Sequence, residues 1–224
     1  MENQTEKVSG DISPLAAILI FAATFVFAMF FLAAVYDSFG YYVELLIQEP
    51  LLMLFPLGYM LYKRVDIKNY IGFEVKTRTI LLGIALGALV FLFDLFISNV
   101  LTSIFGTSET VEEVNTLYLN MTSSTQGLLT LIVAFSLAGV CEEFTFRGFL
   151  QTAFNRRYSF VPAVLVSSFA FSLIHFDPQL IYTVSAFLIG LLLGYIYHRW
   201  HSYVVSAIAH ASVNLIALTI MLLI

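Results

Sequence analysis

Glu142, Glu143 and Arg147 fall within about one and a half helical turns, in the run Cys141-Glu142-Glu143-Phe144-Thr145-Phe146-Arg147, at the end of a stretch apolar enough to lie in a membrane. Ionisable side chains in hydrocarbon cost several kcal/mol each unless they face a polar cavity or one another, so three together mark a candidate site. Glu143 and Arg147 are four apart with the acid on the amino-terminal side, the order an ion pair on a helix prefers, and the arginine can neutralise that carboxylate. Glu142 projects about 100° away around the helix and is the acid left to act as a base, provided it faces water. Two later apolar segments carry Phe171-Ser172-Leu173-Ile174-His175 and His210-Ala211-Ser212-Val213-Asn214, each pair four apart and on one face. A His paired with Glu can share the proton of an attacking water, and His or Asn donors can hydrogen-bond a developing oxyanion, an effect of about 3–4 kcal/mol per lost donor in soluble hydrolases. The bland alternative is a buried cluster that orders the bundle, or a salt bridge snorkelling to the inner surface.

The elements that must position these groups are membrane helices. The chain has 224 residues, 60% hydrophobic and 11% charged, which places it among integral membrane proteins, with no separate soluble domain expected. Apolar runs long enough to cross about 30 Å of hydrocarbon occur near 13–36, 42–62, 79–105, 126–152, 159–176, 179–198 and 203–224. The expected fold is therefore an all-α polytopic transmembrane bundle of about seven spans, with Pro50, Pro56, Pro162 and Pro178 as sites of kinking or shortening. The first eleven residues lack a basic segment and a cleavage site, so the first run is expected to stay as an anchor. All ten Lys and Arg are assigned to one side, including Lys7, the cluster from Lys63 to Arg78, and Arg147, Arg156, Arg157 and Arg199. The opposite loops carry Asp37, Glu109, Glu112, Glu113 and Asp177, which predicts a cytoplasmic amino terminus. Val111, Val114, Leu117 and Met121 recur at helical spacing and predict a short surface helix in the outer loop. Gly83/Gly87 and Ala186/Gly190/Gly194 are expected packing seams. One cysteine excludes an internal disulfide.

Glu142-Glu143-x-x-x-Arg147, Phe171-x-x-x-His175 and His210-x-x-x-Asn214, in that order on successive apolar segments, resemble the motifs of the CPBP family, the CAAX proteases and bacteriocin-processing enzymes that include the type II CAAX prenyl endopeptidases. The resemblance covers about residues 126–224. It implies a glutamate-type intramembrane endopeptidase without a metal or other cofactor: Glu142 and His175 activating water, His210 and Asn214 forming an oxyanion site, Glu143 and Arg147 supporting the geometry. It also divides the chain into helices 1–3 with an outer loop, residues 1–125, and a catalytic four-helix core, residues 126–224, within one membrane domain. The implied partners are the bilayer and a peptide or membrane protein substrate, with no nucleic acid. Short loops and the lack of organelle signals point to a prokaryotic plasma membrane. Oligomeric state has no signal in the sequence.

Several residues compete for attention. Two His and a Glu suit zinc, but the H-E-x-x-H helix signature is missing. Cys141 is expected to pack as a small apolar side chain rather than act as a nucleophile. Asp94, near the middle of the third span, either reaches the Glu/His cluster or completes a separate buried polar network. Glu44 and Glu49 are expected at the interface and solvated, and His198 and His201 at the headgroups. One tension stands: counted from the inner ends, Glu142 and His175 lie about 20–24 Å deep, but His210 only about 10 Å. The non-enzymatic alternative is a membrane protein for bacteriocin self-immunity or for regulation of a sensor kinase. A proton-coupled transporter ranks last, because no broken helices or internal repeat are evident.

Overall fold

The computed structural model describes residues 10–223; Lys7 and most of the polar leader lie outside the described residues. The described chain is helical throughout, with no strand. Its elements are α1 (Pro14–Phe39), α2 (Tyr41–Tyr62), α3 (Ile67–Tyr70), α4 (Thr77–Phe105), α5 (Glu109–Thr122), α6 (Thr125–Glu143), a π-helical segment (Phe144–Gln151), α7 (Thr152–Asn155), α8 (Phe160–Ile174), α9 (Ile181–Trp200) and α10 (Tyr203–Met221). Six helical runs are long and apolar enough to cross a membrane, α6 through α7 counting as one, and α8 is a shorter apolar helix. The expected all-α polytopic bundle of about seven spans is the observed one.

Local sequence explains most boundaries. Serines precede the apolar runs and cap them: Ser13, Ser124 and Ser202 each accept a hydrogen bond from a backbone N–H three residues on. Gly40, at φ 80°, breaks α1 from α2 in a conformation that other residues disfavour. The outer-loop helix forms as α5, with Ser108 as its cap. α8 stops at Ile174 because Pro178 disfavours helix in the residue before it, and Asp177 instead accepts backbone N–H groups from Gln179, Tyr182 and Thr183. Asp177 is thus a buried cap for the start of α9 that also accepts from Ser108 at 2.9 Å, and not a free acid of an outer loop.

One end of the bundle gathers basic residues. There the start of α1, the end of α7 and the loop after α2 meet, with Arg157 3.0 Å from Asp11. Arg147 departs from the expected sorting of all basic residues to one side: it is fully buried within the bundle. The same end resolves the depth of His210. Residues 63–76, with buried Tyr70 and Ile71, tuck beneath α10, and the Tyr203 N–H donates to the Ile71 carbonyl at 3.2 Å. α10 therefore begins recessed inside the bundle, where the Tyr203 hydroxyl donates to the Val140 carbonyl of α6 at 2.9 Å.

α10 packs against α4, α6 and α9, and glycines set its closeness. A Cβ on Gly83 would stand 2.7 Å from Ile208, one on Gly87 2.6 Å from the Ala209 carbonyl, and one on Gly139 2.5 Å from the Ala211 nitrogen. Gly190 and Gly194 meet Ser168 and Val164 of α8 in the same way. Both expected seams are thus close helix contacts at glycine, as suits a setting where hydrophobicity cannot drive association. Gly139→Val should push α10 off α6, lowering the melting temperature of the purified protein by the equivalent of about 1–3 kcal/mol. Gly58→Val, at a position open to added atoms, is the control and should melt close to wild type.

Candidate active site

Glu143 is the hub. It is wholly buried, and its carboxylate is met from three sides, by two hydrogen bonds and one ion pair. Arg147 Nη1 is 2.9 Å from Oε1, an ion pair by distance whose alignment falls short of a hydrogen bond. His210 Nδ1 lies 3.1 Å from the same oxygen, and Ser206 Oγ donates to Oε2 in a short hydrogen bond. The arginine's Nη2 donates to the Gly190 carbonyl at 3.0 Å, and its guanidinium lies over the Phe171 ring, 4.7 Å from the centroid. Both charges are out of water, so the pair holds only because hydrogen bonds and a ring face replace hydration. The π-helical segment shapes this frame. The Thr152 N–H and hydroxyl both turn back to the Arg147 carbonyl, a five-residue reach that widens the helix where Arg147 and Gln151 project inward.

Glu142, one residue away, is nearly buried and differs in one respect. Its Oε2 has no hydrogen-bond partner. His210 Nε2 is 3.9 Å from that oxygen. Because the Glu143 carboxylate can only accept, His210 donates through Nδ1, which leaves Nε2 facing Glu142. His175 ends α8 half-buried, and its Nδ1 lies 2.9 Å from the Phe171 carbonyl, which likewise only accepts. The neutral ring then presents Nε2 as a bare acceptor. Phe171 explains the Phe-x-x-x-His spacing: its ring contacts His175 at 4.5 Å, His210 at 5.7 Å and the arginine, so one aromatic side chain spaces both imidazoles from the guanidinium.

Glu142, Glu143, Arg147 and His210 are thus in direct contact or nearly so, with His175 joined to them through Phe171. Asn214 stands one turn further along α10, and its amide donates to the Phe135 carbonyl of α6 through a long bond of 3.4 Å. Asp94 belongs to a separate polar group, accepting from Ser185 at 3.1 Å and from Ser98 at 3.4 Å. Cys141 is buried. Ser206 was missed from sequence, although it lies four residues before His210 on the same face. Gln151 was missed as well; it ties Gly194 of α9 to Ser167 of α8 through bonds of 2.9 Å and 3.1 Å. Glu49, expected to be solvated, is buried at 7% exposure beside Glu142. Among the described residues, no three His, Cys, Asp or Glu side chains gather in an arrangement that could hold a metal ion. A groove of about 900 Å³ lies elsewhere, at the basic end, lined by Lys68, Lys76, Arg78, Trp200 and His201 among others.

Fold and site together define a polytopic helical membrane protein with a buried cluster of carboxyls, imidazoles and one guanidinium. Residues 124–216, from the cap of α6 to just past Asn214, match the family model of the type II CAAX prenyl endopeptidases, Rce1-like. The resemblance drawn from the three motifs falls within that segment, which is 93 of the chain's 224 residues. Comparison with curated proteins and with solved structures gave no match.

Proposed function

We propose that the chain hydrolyses a peptide bond of a peptide or membrane-associated protein with water activated by Glu142 and His175, without a resident metal. The observation that carries this is the division of labour between adjacent acids: Glu143 has every partner a carboxylate needs, and Glu142 has an oxygen without one. In this reading Glu142 removes a proton from water as the oxygen attacks the carbonyl carbon, with the bare Nε2 of His175 orienting the water. His210 donates from Nε2 to the oxyanion when that nitrogen carries a proton, and Asn214 adds a second donor by giving up its long bond to Phe135. Collapse expels the amine, which takes the proton from Glu142. Glu143 and Arg147 hold the frame. The catalytic core is residues 126–224, and the site opens within a prokaryotic plasma membrane.

The test uses the full chain in liposomes with two quenched fluorescent probes, a farnesylated CAAX peptide and an unprenylated leader-type peptide. Wild type should cleave one of them, and His175→Ala should lose about a hundredfold or more in rate. Prolonged chelation should leave the wild-type rate unchanged. Cleavage that survives in His175→Ala refutes the role of His175; loss on chelation restored by zinc refutes the metal-free mechanism.

A further inference from the structure

Glu49 is a buried carboxyl that the reaction above does not use. α2 and α6 run in the same direction side by side, and Thr145 Oγ1 donates to the Leu52 carbonyl at 3.2 Å across them. Glu49 and Glu142 lie three residues before Leu52 and Thr145, one turn back on each helix. Their carboxyls come within hydrogen-bonding reach of one another. Glu49 is 7% and Glu142 4% exposed, and Oε2 of each receives no hydrogen bond from a donor among the described residues. Among the described residues, no Lys or Arg forms an ion pair with Glu49, and Arg147, which lies near Glu142, is engaged by Glu143 and the Gly190 carbonyl.

Two carboxylates in contact and shielded from water cannot both be ionised, so one proton is held between them. We infer that Glu49 is the proton partner of Glu142, a second acid that α2 contributes to the site and that sets the protonation state of the base. This rests on the reading of Glu142 as the base. Glu143 and Arg147 cancel, and the carboxyl pair with one proton carries a single negative charge, with the His210 imidazole 3.9 Å from Glu142. One ionised carboxyl oxygen thus persists in a lipid-embedded site, with a proton beside it. Glu49 acts through Glu142 and is a positioning residue. The other titratable or charged groups facing the pair are Tyr118 of α5, Cys141 and Glu143 of α6, Arg147, Tyr182 of α9 and His210 of α10.

The experiment is an infrared pH titration of the full chain in lipid nanodiscs, following the carbonyl band of protonated carboxyls in wild type, Glu49→Gln, Glu142→Gln and the double variant. Wild type should show two steps that the double variant lacks. Each single variant should retain one step, displaced from both wild-type steps, because the coupling is reciprocal. An undisplaced step in either single variant overturns the inference, and should Glu49→Gln fail to fold, Glu142→Gln alone decides it. In the cleavage assay, Glu49→Gln should lower kcat about ten- to a hundredfold with KM unchanged and move the pH profile, and Glu49→Asp should restore part of the loss. Coupled titration without Glu142-dependent cleavage would keep the pair and remove the protease. Glu142-dependent cleavage with uncoupled titration would do the reverse.

Discussion

Arg147→Met should destabilise the bundle by about 3–5 kcal/mol, the cost of leaving one member of a buried ion pair alone. Glu143 would keep only His210 and Ser206 as partners, at a position with no access to water. The Gly190 carbonyl would lose its donor and Phe171 the cation over its ring. Those losses fall on the contact of α9 with the π-helical segment and on the aromatic side chain that spaces the two imidazoles. Removing both charges in Glu143→Gln/Arg147→Met should recover much of the stability, because an uncompensated charge is costlier than none. Melting temperatures of the three proteins in nanodiscs check this. A single variant as stable as wild type would mean that the guanidinium does not hold the frame.

Glu142→Gln should leave the melting temperature near the wild-type value and reduce turnover about 10²–10⁴-fold, the range that a positioned general base contributes. Gln keeps the shape and can still hydrogen-bond Glu49, but cannot take a proton from water. The neighbouring substitution Glu143→Gln should behave in the opposite way, losing stability first, because it strips Arg147 of its counter-ion inside the bundle. Two adjacent glutamates giving contrasting phenotypes would separate the base from the frame more clearly than the loss of activity in either one. Cleavage rates at saturating probe, read alongside melting curves, distinguish them.

The helices were legible because apolar length alone specifies a span, and Ser, Gly and Pro punctuate the ends. The pairing of Glu143 with Arg147 was legible too, since residues four apart on a helix share a face, although the π-helical turn that carries Arg147 was not. Depth was not. His210 lies only about 10 Å from the start of its helix, and nothing in α10 announces that this start is recessed above the 63–76 segment. Arg147 could be placed at an inner surface because it lies only eight residues before the end of α7 at Asn155, yet it is buried within the bundle. Asp177 was assigned to solvent because a loop acid before a proline has many uses, and only the fold brings the α9 N–H groups to it. Glu49 did leave a trace: it lies thirteen residues before the end of α2 at Tyr62, as Glu142 lies thirteen before the end of α7 at Asn155. Equal depth on parallel helices is a juxtaposition that becomes visible only once α2 and α6 are known to be neighbours. The site therefore draws on a helix outside the segment that carries the family motifs.

The most direct test is single-turnover cleavage of a probe that wild type processes, with wild type and Glu142→Gln reconstituted at equal, verified folded fraction. A base at Glu142 predicts that the variant releases no product on the wild-type timescale while melting at the same temperature. Product release by the folded variant at a rate within a few-fold of wild type would contradict it.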